Sequence, residues 1–112
     1  MRLPSDPIIA EMLPDFVASW QHDVEHVLPG IIEERNSSEL YRFGHTLRGS
    51  GRQFCADELS ELGAQLQDAS RNNDWDAAVN LGKEINSKLD DVKQFISSLG
   101  QSAASGNTPS NL

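Results

Sequence analysis

At 112 residues, with 38% hydrophobic and 6% aromatic side chains, the chain has material for one helical domain with one modest core. Seventeen acidic residues against nine basic ones give a formal net charge of −8, a surface that repels nucleic acid and anionic lipid and argues against both as partners. A single cysteine excludes an internal disulfide, no run approaches the ~18 apolar residues of a membrane span, and the start lacks a basic-then-apolar signal segment, so a cytoplasmic protein is expected.

Met1–Pro7 reads as a short leader in which Ser5 or Asp6 can cap a first helical piece, with Pro7 in its first turn, where a missing N–H does no harm. Ile8, Ile9, Met12 and Leu13 give that piece an apolar side. Pro14 starts a second segment whose Phe16, Val17, Trp20, Val24, Val27, Leu28 and Ile31 recur at helical spacing. Pro29-Gly30 should kink or interrupt it near its end. Asn36, with Glu39 three residues on, forms a capping box that opens a third helix near Ser37, running to about Cys55. Asp57 can cap a fourth, striped by Leu59, Leu62, Leu66 and Ala69.

After the polar turn Arg71–Asp74, the last helix begins near Trp75 and carries a seam of Ala78, Leu81, Ile85, Leu89, Val92, Ile96 and Leu99. Gly100 is expected to stop it, and residues 101–112 to form a disordered tail. No segment shows the period-two alternation of a strand. The expected fold is all-α: an antiparallel four-helix bundle, up-down-up-down, over residues 1–100, with a short additional N-terminal helix.

The third helix carries the unusual chemistry. Wound at about 100° per residue with His45 at the top, it places Arg42, Arg48, Gly49 and Arg52 within about 60° of the imidazole. Leu40, Phe43, Leu47, Gly51 and Phe54 gather at the opposite pole. Stability alone does not favour this composition: three arginines share a face with no acidic residue at i+4, and Gly49 and Gly51 each cost about 1 kcal/mol relative to Ala in a helix interior. Gly49, one turn after His45, removes a side chain that would crowd the ring. In an acidic protein a third of all basic residues on one helix face is a local reversal of field, suited to an anion or an acidic partner. Gln53, about 80° from His45, borders this face and could contribute to docking.

The other candidates carry less. His22 and His26 stand four apart on the second helix with Asp23 and Glu25 nearby, but two histidines without a placed third ligand favour plain surface residues, and no metal site is expected. Cys55 lies at the edge of the apolar face and reads as half-buried packing; ten residues of helix, ~15 Å, separate it from His45. Trp20 and Trp75 read as packing residues. Gly49-Ser50-Gly51 falls inside a helix whose amides are already bonded, so it makes no nucleotide loop, and neither an ATP site nor kinase activity is expected.

His45-Thr46-Leu47-Arg48-Gly49-Ser50 resembles the signature of the histidine-containing phosphotransfer (HPt) domains of phosphorelays, a His-x-Leu-Lys/Arg-Gly-Ser run on one helix of a four-helix bundle. The resemblance covers nearly the whole chain. Gly51, where Ser or Ala is commoner, and Cys55, where a second glycine often stands, depart from the pattern without touching the His45 face. The resemblance implies that His45 accepts a phosphoryl group from the aspartate of a receiver domain, in a response regulator or hybrid histidine kinase, and passes it to another. Arg48 stands where the family has Lys or Arg. A magnesium ion would come with the receiver, since this chain shows no carboxylate cluster and needs no cofactor of its own. The expectation is a monomeric phosphocarrier. Its rival is a helical module that docks on a receiver or other acidic surface through Arg42, Arg48 and Arg52 without turning over phosphate.

Overall fold

The computed structural model describes residues 6–107, with side chains through Ser98. Six helices follow one another: α1 (Pro7–Glu11), α2 (Leu13–His26), α3 (Leu28–Glu33), α4 (Ser37–Gln53), α5 (Asp57–Asn72) and α6 (Trp75–Asn107). No strand occurs among the described residues, and the all-α class matches the sequence periodicities. Helices α2 and α3 form one limb of the bundle, and α4, α5 and α6 the other three. Connections of three, three and two residues leave no room for crossovers, so successive limbs run antiparallel.

Local chemistry explains most of the boundaries. Asp6 caps α1, its carboxylate accepting from the Ile8 amide at 2.9 Å, with Pro7 following; the rest of the expected leader, through Ser5, lies outside the described residues. The break between α2 and α3 falls at Val27, two residues ahead of Pro29, because proline withholds an N–H from the preceding turn and its ring crowds that turn's carbonyl. Val27, expected in the apolar stripe, is therefore turned out and 44% exposed. Asn36 caps α4 as anticipated, accepting from the Glu39 amide at 3.2 Å.

Three helix ends close in the same way. Arg35, Cys55 and Asn73 each have φ between 51° and 58°, and the residue after each donates its amide to a carbonyl five residues back: Asn36 to Ile31, Ala56 to Gly51, Asp74 to Ala69. None of the three is glycine. The turn at Cys55 also moves the start of α5: Ala56, buried and without a capping side chain, precedes the helix, so the expected cap Asp57 is instead its first residue. There Asp57 and Glu58 still complement the positive end of the helix. At the far end, Gly100 does not stop α6, which continues to Asn107. One glycine costs about 1 kcal/mol in a helix interior, which the neighbouring Gln and Ala residues tolerate. The last part of the expected tail, residues 108–112, lies outside the described residues.

The core gathers Leu13, Phe16, Trp20 and Leu28 from the first limb against Leu40, Phe43 and Leu47 of α4, Leu59, Leu62 and Leu66 of α5, and Ile85 and Leu89 of α6, all buried. Phe16 stacks on Phe54 at 4.3 Å between ring centres, and Trp20 meets Phe43 edge-on at 5.3 Å. Trp75 is half-buried, with the Arg35 guanidinium 5.9 Å from its ring centre.

The pair α4–α5 is held differently from the rest, backbone against backbone. A Cβ built on Gly44 would stand 2.6 Å from the Gly63 carbonyl oxygen; one on Gly63, 2.6 Å from the Arg48 amide nitrogen; one on Gly51, 2.7 Å from the Ser60 amide nitrogen. Glycine is required at all three by space alone. Gly44 and Gly51, seven residues apart, present the same side of α4 to α5. Two buried hydroxyls fix the register: Ser60 donates to the Arg48 carbonyl and Ser70 to the Ser37 carbonyl, each at 2.9 Å.

Candidate functional site

His45 stands near the middle of α4 with its ring in solvent, while Leu47 and Phe43 on either side of it in sequence are buried. The amphipathic wheel therefore places the imidazole correctly. Arg42, Gly49, Arg52 and Gln53 are exposed with it along the outer face of α4. No atom outside the helix's own backbone comes within 4 Å of a Cβ built on Gly49. The space one turn beyond His45 is open.

Two of the three arginines are less free than the wheel suggests. Arg42 lies 3.7 Å from Glu39, so the acidic relief missing at i+4 is supplied at i−3. That pair is largely solvated, and Arg42 keeps most of its exposure. Arg48 is half-buried and leans toward α5, where its guanidinium donates to Gln67 Oε1 at 3.4 Å. Gln67 is only 2% exposed, so this contact fixes the direction of the Arg48 side chain and satisfies an amide that would otherwise be buried without a partner. Arg52, in the last turn of α4, is exposed and favoured there by the negative end of the helix.

Three residues of this region escaped sequence reasoning. Tyr41, one turn before His45, is 38% exposed on the same side as the ring. The Arg71 guanidinium of α5 lies over it, 5.2 Å from the ring centre, with Nη2 3.4 Å from the Tyr41 hydroxyl and Nη1 2.8 Å from Asp68. Gln67 is the third. Tyr41 could have been found on the helical wheel, about 40° from His45. Gln67 and Arg71 belong to another helix, and only the antiparallel packing of α5 brings them here.

The remaining candidates lie elsewhere. Cys55 is half-buried in the turn after α4. His22 and His26 are exposed on α2, their ring centres 4.7 Å apart. Among the described residues no group of three or more His, Cys, Asp or Glu is positioned to hold a metal ion, and none of the helices is long and apolar enough to cross a membrane. What the outer face of α4 offers is therefore a solvated imidazole, guanidinium groups on both sides of it and open space one turn beyond.

No curated protein and no solved structure matches the chain. The family model of the Hpt domain matches residues 11–95, from the end of α1 into the second half of α6. With a match over most of its length, a helical bundle, and a histidine presented on the outer face of α4, the chain belongs to the Hpt domain family, whose members pass phosphoryl groups through a histidine in phosphorelays.

Proposed function

We propose that this protein carries a phosphoryl group on His45 between receiver-domain aspartates. The observation that carries the reading is the open, cationic surroundings of a solvent-facing imidazole in an Hpt-family chain. A neutral imidazole keeps a lone pair for attack on phosphorus. In the forward step a ring nitrogen of His45 bonds to the phosphorus of an aspartyl phosphate, the bond from phosphorus to the carboxylate oxygen breaks, and the aspartate leaves as carboxylate. The reverse sequence delivers the group to the next aspartate.

Arg52 and Arg48 contribute charge. Their guanidinium groups stabilise the dianion carried on the ring through charge-assisted hydrogen bonds, Arg48 from a side chain already directed by Gln67. Arg42 and Gln53 belong to the rim on which a partner docks. Magnesium travels with the receiver: among the described residues no group of three or more His, Cys, Asp or Glu stands ready to hold it. Exposure of the ring is part of the function, since one intermediate must enter two different active sites in turn, and Gly49 leaves the approach clear. The protein acts as a monomer in the cytoplasm and has no kinase chemistry of its own.

Incubation with a phosphorylated receiver tests this directly. Label that is acid-labile and base-stable should appear on the protein and be absent from His45→Gln. Docking without label transfer would replace the carrier reading with that of a non-catalytic interaction module.

A further inference from the structure

Away from the α4 face, α2 ends in a pair of residues that the phosphotransfer reading does not use. His22 and His26 occupy the last two turns of α2, both exposed, with ring centres 4.7 Å apart and ring planes inclined by 41°. We propose that these two imidazoles form a bidentate site for a late first-row divalent metal ion, Cu2+ by preference.

The separation of the rings is the main argument. An ion bound at ~2.0 Å from each coordinating nitrogen lies ~3.2 Å from each ring centre, so ligands at 90° put the centres about 4.5 Å apart and tetrahedral ligands about 5.2 Å. The observed 4.7 Å falls between these values. Spacing of four on a helix brings the two side chains to the same face, and both stand outside the core, so neither ring must leave a packed position to turn a nitrogen toward a shared ion.

The surroundings favour a cation. Asp23 and Glu25 flank the pair, the chain bears a net charge of −8, and His26 lies in the last turn of α2, where the helix presents its negative end. Donor type then selects the ion. Two imidazoles with no carboxylate positioned as a third ligand are a poor site for Mg2+ or Ca2+, which take oxygen donors. Imidazole nitrogen suits Cu2+, Ni2+ and Zn2+, and affinity rises to Cu2+ in that series. Water completes the coordination, in keeping with the tetragonal habit of Cu2+. The site joins two turns of one helix and uses no atom of the His45 face.

Titration of the full-length protein with Cu2+, followed by electron paramagnetic resonance with electron spin echo modulation, counts the imidazoles on the ion without any substitution. One ion per chain bound by two imidazoles is expected. His22→Gln and His26→Gln should each lower the affinity by about tenfold or more. His45→Gln, which removes the third histidine of the chain, should leave both count and affinity unchanged. A spectrum without imidazole, an affinity unchanged in the double variant His22→Gln/His26→Gln, or an imidazole count that falls only in His45→Gln would each overturn the assignment. A count of none or one on the unsubstituted protein overturns the assignment even if a variant folds poorly.

Discussion

The glycines of α4 make opposite demands, and substituting them separates the two roles. Gly49→Ala adds a methyl group where no neighbouring atom lies within 4 Å, so only helix propensity is felt. Replacing Gly by Ala at such a site should stabilise the protein by about 0.5–1 kcal/mol, through a less costly ordering of the chain. For a domain of this size that is a rise in melting temperature of about 4 °C. Gly44→Ala gains the same propensity, but its new methyl group meets the Gly63 carbonyl oxygen at 2.6 Å and the Leu66 Cβ at 2.9 Å. Backbone on the far side cannot swing away as a side chain can, so α4 and α5 must separate. Overpacking of this kind costs about 1–3 kcal/mol, which outweighs the propensity gain. The assay pairs calorimetric melting with single-turnover transfer from a phosphorylated receiver. Gly49→Ala should melt higher and transfer at a near-normal rate, Gly49→Gln should melt no lower yet transfer much more slowly, and Gly44→Ala should melt lower. A lower melting temperature for Gly49→Ala and Gly49→Gln together would refute the open face around His45; a higher one for Gly44→Ala would refute the close approach of the two helices.

Other outcomes follow from the same geometry. His45→Gln should change stability by less than about 0.5 kcal/mol and abolish label acceptance; label appearing on His22 or His26 of that variant would reject the site. Arg52→Ala and Arg48→Ala should both slow transfer and weaken receiver binding, with binding also falling as salt rises, but only Arg48→Ala should cost stability, by about 1 kcal/mol, because Gln67 loses its partner. Equal stability of the two variants in urea unfolding would show that the Gln67 contact contributes nothing. Cys55→Gly should stabilise the protein by about 1 kcal/mol, since φ of 58° is strained for any side chain and free for glycine; an unchanged or lower melting temperature would contradict this.

The outer and inner faces of α4 were legible because helical geometry is local: His45, Arg42, Arg52 and the buried Leu40, Phe43 and Leu47 follow from spacing alone. What a single wheel lacks is knowledge of where the neighbouring helix lies. Arg42 and Arg48 stand about 60° to either side of His45, equivalent on paper. Packing breaks that symmetry, because α5 approaches on the side of Gly44, Arg48 and Gly51, turning Arg48 inward to Gln67 and leaving Arg42 in water. Spacing puts Gly51 on the apolar side, but its necessity depends on Ser60, and that of Gly44 on Gly63. The end of α6 departs from the sequence expectation for the opposite reason. A glycine in a sequence suggests a stop, while a penalty of about 1 kcal/mol does not enforce one when helix-compatible residues follow.

The glycine contacts between α4 and α5 also set how this protein can adjust to a partner. Helices separated by a layer of side chains can slide when those side chains change rotamer, but here the Gly63 backbone lies against the Gly44 and Arg48 backbones with no such layer between them. The platform beneath His45 therefore has one shape for every protein that meets it. In the proposed docking, discrimination among partners would fall to the solvated side chains above, Arg42, Arg52 and Gln53, whose rotamers reorganise faster than any helix can shift. In the carrier role proposed above, trade with several receivers would need only this fringe to rearrange, while the position of the His45 ring stays unchanged.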